Sequence, residues 1–327
     1  MIPLKQRRPT INVGLLVIIA TAALVSSKVT FSAPDAPSAA TLACSHSSLK
    51  MYSACSHGAA DNFWVTAAIC QNVAERADRR DCEAEMRDAY TSELALCRAQ
   101  RVVRLNACKD LGQSPYDPQI DPVNFVDPLE IGTSVAANPY LILTPGYTRV
   151  YNTPTEVITI TVTHNTAVIL GVTCIVSRVT VRDSEGNLIE DTVDYFAQDV
   201  TGNVWYFGET TAEYEGGLPV SVEGTFKAGV ERAKPGIAML AVLPSGQLYR
   251  EEFALGTAED MARVISMTAS ESAPAASCRA TCLQTNNFTP ISPSASETKY
   301  YAPGVGEIVA FPASDPTQRE VLVSYHY

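Results

Sequence analysis

The stretch Asp191–Glu209, DTVDYFAQDVTGNVWYFGE, holds five aromatic residues in two short runs on either side of Thr201-Gly202-Asn203. A turn signal between two such runs specifies a β-hairpin. If the chain reverses between Thr201 and Gly202, Gln198 opposes Trp205, Ala197 opposes Tyr206 and Phe196 opposes Phe207. Phe196, Trp205 and Phe207 then share one sheet face at cross-strand distance. Such a face is either core or the wall of a cavity.

The chain around this hairpin follows the same rule. From Pro139 onward the apolar residues alternate, in β-branched and aromatic runs such as Glu156–His164, Val172–Arg182, Met261–Met267 and Glu320–Tyr325, separated by turn residues. Short strands at this spacing imply an antiparallel β-sandwich or a strongly curved sheet or barrel. The Ser/Ala-rich segment Thr268–Ala276 reads as a loop.

Before Asp110 the pattern is different. Residues 44–110 are rich in Ala, Glu and Arg, with His57-Gly58 as the one interruption and Asp61 placed to cap a second helix. Six of the nine cysteines fall here, at 44, 55, 70, 82, 97 and 108. In an antiparallel helical hairpin, bridged positions lie equidistant from the turn. Cys55 with Cys70 and Cys44 with Cys82 fit a turn near Gly58–Asn62. Cys82 with Cys97 and Cys70 with Cys108 fit equally well, but need a turn near Tyr90, where no Gly or Pro occurs. The first pairing strands Cys97 and Cys108 about 16 Å apart on one straight helix. Either the last helix folds back or these two bridge a second molecule, a homodimer through the helical region. Cys278 and Cys282 form a local bridge, which leaves Cys174 as a buried thiol.

The expected class is therefore α+β: a disulfide-linked helical hairpin followed by an antiparallel β-sandwich or strongly curved sheet or barrel. Residues 1–40 are a signal peptide or membrane anchor, with Lys5, Arg7 and Arg8 preceding the uncharged run Ile11–Ser27. Residues 41–111 are the cysteine-rich helical region, 112–137 a linker with Asp-Pro at Asp117, Asp121 and Asp127, and 138–327 the β-domain. Nine cysteines fit an oxidising space outside the cytoplasm. Residues 113–327 carry eleven bases against twenty-five acids, which repels phosphate backbones, so nucleic acid is not an expected partner. A membrane is expected to be met only through the N-terminal segment.

Several motifs resemble an uncharacterised family of exported bacterial proteins. They are Asn138-Pro139-Tyr140 with Pro145-Gly146, Asp194-Tyr195-Phe196-Ala197-Gln198, Gly202-Asn203-Val204-Trp205-Tyr206-Phe207-Gly208-Glu209, Lys234-Pro235-Gly236, Tyr249-Arg250-Glu251-Glu252, Ala258-Glu259-Asp260, Thr289-Pro290 and Lys299-Tyr300-Tyr301-Ala302-Pro303-Gly304-Val305-Gly306. The likeness spans about residues 138–311. Its closing YYAPGVG is similar to the end of curved-sheet envelope proteins related to the lipoprotein-carrier fold, in which a concave sheet holds acyl chains. The family brings no established activity.

No nucleophile, Walker or Rossmann motif stands in the chain. Cys44-Ser-His46 and Cys55-Ser-His57 have the donors for zinc, but oxidised cysteines do not ligate. Asp183, Glu185 and Asn187 alternate oxygens as a calcium loop does, yet read better as a hairpin turn. Glu251-Glu252 and Glu259-Asp260 read as surface charge, because neighbours on a strand point to opposite faces. No cofactor and no catalysis is expected. The candidate cavity residues are Tyr195, Phe196, Trp205, Phe207, Tyr300 and Tyr301. The expectation is a non-catalytic exported envelope protein with a structural or binding role. The alternative is a carrier of an apolar ligand, a lipid or acyl chain, in a concave sheet.

Overall fold

The computed structural model describes residues 42–327. The run Ile11–Ser27, expected to be part of a signal peptide or membrane anchor, lies outside them. The described chain opens with two helices, α1 (Ala43–Gln71) and α2 (Arg76–Leu111). Helix α1 runs straight through His57-Gly58, so the expected turn there is absent. An interior glycine costs a helix only about 1 kcal/mol relative to alanine, which is too little to break one tied to its neighbour above and below. The reversal comes at Val73–Glu75, where the Arg79 guanidinium donates twice to Val73 O, at 3.0 and 2.8 Å.

That shift of the turn changes every pairing. The bridges are Cys44–Cys108, Cys55–Cys97 and Cys70–Cys82, in place of the expected Cys55–Cys70 and Cys44–Cys82. Each pair is equidistant from the same turn, so the three form nested rungs between α1 and α2. Cys97 and Cys108 are consumed within the chain, which removes the motive for an intermolecular bridge. No helix of the described residues is long and apolar enough to cross a membrane.

Fifteen strands follow: β1 (Thr148–Asn152), β2 (Glu156–Ile169), β3 (Val172–Asp183), β4 (Leu188–Gln198), β5 (Val204–Glu215), β6 (Leu218–Ser221), β7 (Phe226–Lys227), β8 (Lys234–Met239), β9 (Leu248–Arg250), β10 (Glu252–Phe253), β11 (Met261–Ser272), β12 (Ser277–Phe288), β13 (Ser296–Ala302), β14 (Gly306–Pro312) and β15 (Glu320–His326). They form one antiparallel sheet, thirteen of them in the order β10-β8-β5-β4-β3-β2-β1-β15-β14-β13-β12-β11-β9, with β6 and β7 each paired to β5 off this path. Its two ends approach one another at β8 and β9, so the sheet curls into a nearly closed barrel. The α+β class holds. Strand β11 extends to Ser272 and pairs with β12 through Ser272↔Ser277, so part of the expected Thr268–Ala276 loop is strand. Cys278 and Cys282 are bridged across an irregularity in β12 where Ala280 takes φ 54°. Cys174 is buried and free.

The β4–β5 hairpin forms one residue out of the expected register. Asp199 Oδ1 accepts the Thr201 and Asn203 amides at 2.9 and 3.0 Å, and Asp199 Oδ2 accepts Trp205 Nε1 at 2.9 Å. This aspartate-built loop places Phe196 opposite Tyr206 and Ala197 opposite Trp205. A one-residue slip exchanges faces. Phe196 and Tyr206 therefore stack on the inner face at 4.6 Å, while Trp205 and Phe207 lie on the outer face under Phe125 of the linker.

The linker and the segment after it close one end of the barrel. Asn138 is the hub: its backbone amide donates to Gln198 Oε1 at 2.9 Å, its side-chain amide to Gly202 O at 2.9 Å, and its Oδ1 accepts the Tyr140 amide at 2.9 Å. The YYAPGVG turn docks on the same corner, with Gly304 N donating to Pro139 O at 2.8 Å and Tyr147 Oη to Val305 O at 2.8 Å. Ile131, Leu143, Tyr147, Val162, Ile175, Val204, Met239 and Leu283 pack the core beneath this cap.

The helical hairpin docks at the barrel seam through Arg104, whose Nε and Nη2 each donate to Glu259 at 2.8 Å. Glu259 also accepts the Gly256 amide at 2.7 Å. The rung Cys44–Cys108 spans 64 residues and Cys70–Cys82 only 12. With the inner rungs intact, Cys44–Cys108 closes only the stretches Cys44–Cys55 and Cys97–Cys108, so by loop-closure entropy alanine at both Cys44 and Cys108 costs about 2–4 kcal/mol, within about 1 kcal/mol of alanine at both Cys70 and Cys82. Urea denaturation of the two double variants measures both losses, and a gap of about 1.5 kcal/mol or more would contradict the nested arrangement.

Candidate functional site in the barrel interior

The barrel encloses a cavity of about 370 Å³ whose wall is charged. It is built by strand alternation and by two irregularities that override alternation. On β1, with Tyr147 buried in the core just before the strand, Arg149 and Tyr151 follow each other at period two and line the cavity. On β13, Glu297, Lys299 and Tyr301 do the same. Glu307 of β14, Asn287 of β12 and Asp194 of β4 complete the belt.

The first irregularity brings Glu251 and Glu252 to the same cavity, against the expectation of surface charge. Both of their amides donate to Asp260 O, at 2.8 and 3.2 Å, which is the two-against-one pattern of a β-bulge. The alternation argument fails there. Gly236 makes room, since a Cβ on it would lie 2.1 Å from Glu251 O. Asp260 lines the cavity beside them. Glu259 turns the other way, to Arg104, and does not meet Glu251.

The second irregularity lies in β5, where Tyr195 pairs with Gly208 and Phe196 with Tyr206, leaving Phe207 as the extra residue. Gly208 sits at φ 135°, a conformation that favours glycine. The bulge returns Glu209 to the inner face opposite Asp194. Tyr206 Oη then lies 2.6 Å from Asp194 Oδ1 and 3.0 Å from Glu209 Oε2. A phenol has one hydrogen to give, so one carboxyl must carry a proton and donate to the phenol oxygen for both contacts to be hydrogen bonds.

Burial drives these carboxyls toward the protonated form. It pushes Asp194 up to about 6 against the Tyr206 hydrogen bond, and Glu209 up to about 7, helped by the charge of Asp194. Glu251 rises to about 8 by burial, despite Lys299 nearby and two hydrogen bonds from Asn287 Nδ2 at 3.1 and 2.9 Å. Burial and then Asp260, Glu209 and Glu251 hold Glu252 well above the ordinary carboxylate range. The cavity thus presents carboxyls as donors as well as acceptors.

Two cations stand among them. Lys299 Nζ is 3.5 Å from Glu297 and 3.6 Å from Glu307. Arg149 is 5% exposed, and no carboxylate of the described residues lies within ion-pair distance of it. Its Nη1 donates to Tyr151 Oη at 3.2 Å, and its Nε has no hydrogen-bond partner.

Of the six candidate cavity residues, Phe196 and Tyr301 line this space. Tyr195, Trp205 and Phe207 belong to the outer-face cluster, displaced there by the hairpin register. Tyr300 packs on Phe311, 6.2 Å between centroids, in a separate cluster. Asp183 Oδ1 accepts the Glu185 and Asn187 amides at 2.9 Å each, and Asn187 Nδ2 donates to Asp183 Oδ2, so these three residues build a hairpin turn. Among the described residues no group of three or more His, Cys, Asp or Glu side chains is placed to hold a metal ion. Arg149 and Lys299 were not among the sequence candidates, although a charge flanked by tyrosine two residues away on a strand is the signal that finds them.

With this geometry in hand, comparison with known proteins adds little. No family model matches the chain, and no curated protein does. A Bacteroides fragilis structure described as a "putative exported protein with YmcC-like fold" is 14% identical, with a TM-score of 0.35, over 59% of this chain and 100% of that one. A likeness at that level carries no argument about fold or function.

Asp194, Glu209 and Glu251 titrate above the values of the unfolded chain, so between roughly pH 4.5 and 8 the folded state holds protons that the unfolded state has released. Their contribution is fully present below that window and lost as pH rises through it. The melting temperature is expected to fall from about pH 5 to pH 8, with Glu251→Gln flattening the upper part of the curve. A melting temperature that rises over this range would contradict the assignment.

Proposed function

We propose that the chain is a non-catalytic extracytoplasmic binding protein whose barrel interior holds a small polar ligand. The observation that carries this reading is Arg149, a buried guanidinium facing the cavity without a carboxylate partner. The rings of Tyr147 and Tyr151 and the more distant Glu307 favour its charge, yet its Nε lacks an acceptor, and a ligand that offers one, best an anionic one, completes it. On the other wall, the carboxyls of Glu252 and Asp260 face the same space and can accept from hydroxyl or ammonium groups. The ligand therefore carries both kinds of group. An acyl chain in the sheet's concavity, the alternative, fits this belt less well, since it would set hydrocarbon against Arg149 Nε and the carboxyls of Glu252 and Asp260.

The extracytoplasmic setting is supported by the eight cysteines held in four disulfides. Alkylating intact cells and then denaturing without reductant is expected to leave Cys174 as the one cysteine open to a second, mass-distinct reagent. Nine open thiols would place the chain in a reducing compartment.

Native mass spectrometry of protein from its host tests the ligand. Wild type is expected to retain a polar solute that Arg149→Met loses, with the variant's melting temperature held or raised, because an apolar isostere of a buried charge is often neutral or stabilising. Wild type that flies without any solute, or that retains a lipid in the barrel, removes the reading.

A further inference from the structure

A second cavity, of about 570 Å³, lies outside the barrel interior, where the ends of α1 and α2 and the start of the linker cover the seam between β8 and β9. Its size is within the range of small-molecule sites, about 300–1,000 Å³. Much of its wall is aliphatic, from Leu111, Ile237, Leu240, Leu248, Leu255 and Met261.

The charges around that wall run against the composition of the chain. Acids outnumber bases by 35 to 24 overall, yet four cations line this cavity, Arg104, Arg232, Lys234 and Arg250, with Glu259 as the one acid. Glu259 is engaged by two nitrogens of Arg104, whose third, Nη1, is buried without a partner. Lys234 is held by Asp117 and by Tyr116 O. Arg250 is left over. Its guanidinium is clamped between the rings of Tyr116 and Phe253, 5.7 and 4.9 Å from their centroids. Its only hydrogen-bond contacts among the described residues are to sulfur, Cys44 Sγ at 3.8 Å and Met261 Sδ at 4.0 Å. Two aromatic faces fix its plane, and no oxygen satisfies its donors.

A guanidinium held rigid with its donors free is a receptor for a planar or tetrahedral oxyanion. The aliphatic wall beside it does not suit a bare ion, and the unsatisfied donors do not suit a neutral hydrocarbon. We propose that this seam cavity binds a single-chain amphiphile with an anionic head, the head on Arg250 and the free nitrogen of Arg104, the tail along Ile237, Leu240, Leu248 and Leu255. The site is separate from the polar cavity inside the barrel and does not depend on that reading.

Isothermal titration calorimetry on the oxidised protein, with palmitate, hexadecyl phosphate and hexadecanol below their aggregation concentrations, tests the assignment. One equivalent of palmitate or of hexadecyl phosphate is expected to bind, and the tighter of the two identifies the head as carboxylate or phosphate. Hexadecanol is expected to bind about tenfold more weakly or less, since it forfeits the charge-assisted hydrogen bonds. Arg250→Gln is expected to weaken the anions by about tenfold or more while leaving hexadecanol unchanged, with Arg250→Lys intermediate. Leu255→Glu, at a half-exposed wall position that does not endanger folding, sets a like charge beside the site and is expected to weaken the anions as well. Arg149→Met is expected to leave palmitate binding intact. Equal affinity for hexadecanol and palmitate, wild-type affinity in both Arg250→Gln and Leu255→Glu, absence of anion binding, or loss of palmitate in Arg149→Met overturns the proposal.

Discussion

The buried ion pair between Arg104 and Glu259 anchors the helices to the sheet, beside Gln100 on Ile291 O, Asp110 on Arg263 and Ala107 packed with Leu248 and Met261. It is 7% and 1% exposed on its two sides, so both charges have left water, and three donors replace the water around the carboxylate: two from Arg104 and one from Gly256 N. Removing one member of such a pair strands the other in a dry site, which costs far more than the pair itself contributes. The position is as telling as the strength. Asp260, the next residue, supplies the carbonyl that takes the Glu251 and Glu252 amides. The interaction that seats α2 on the seam therefore lies one residue from the bulge that turns two neighbouring carboxyls into the barrel.

Two cavities of opposite character follow from that seam. Inside the barrel, carboxyls crowd at distances and burial that keep several of them protonated near neutrality, and the cations among them are few. Outside it, under the helices, cations exceed acids and the wall is aliphatic. The two spaces share the β9–β10 run: Tyr249 and Arg250 serve the outer cavity, Glu251 and Glu252 the inner one. Four consecutive residues thus divide their chemistry between two sides of one wall, and the bulge is the point of division.

Much of this architecture was legible from residue pattern. Period-two apolar runs from Pro139 onward mark the antiparallel strands, and segments rich in Ala, Glu and Arg mark the helices. What escaped were places where a local device outweighs periodicity. Gly58 looked like a turn because glycine weakens a helix, but disulfides on both sides hold the helix through it, and the real turn at Val73–Glu75 carries neither Gly nor Pro. Asp199 moved the aromatic hairpin by one residue, since its side chain satisfies the loop amides in a way that the Gly202 signal alone does not foretell. Glu251-Glu252 was read as surface because alternation is blind to a bulge, and a bulge is written in long-range hydrogen bonds. Arg149 and Lys299 were visible in principle, each set two residues from tyrosine on an inward face.

The helical ladder has a consequence for how the chain matures. Its rungs are nested around one reversal, so oxidation has a natural direction. Cys70 and Cys82 close the shortest stretch and lose the least chain entropy in meeting. Once they are joined, the stretch that Cys55 and Cys97 must close is shorter, and Cys44 with Cys108 inherit the same advantage. Chain entropy therefore favours closure from the tip toward the barrel, which leaves Cys44 and Cys108, the pair that lines the seam cavity, as the entropically last rung.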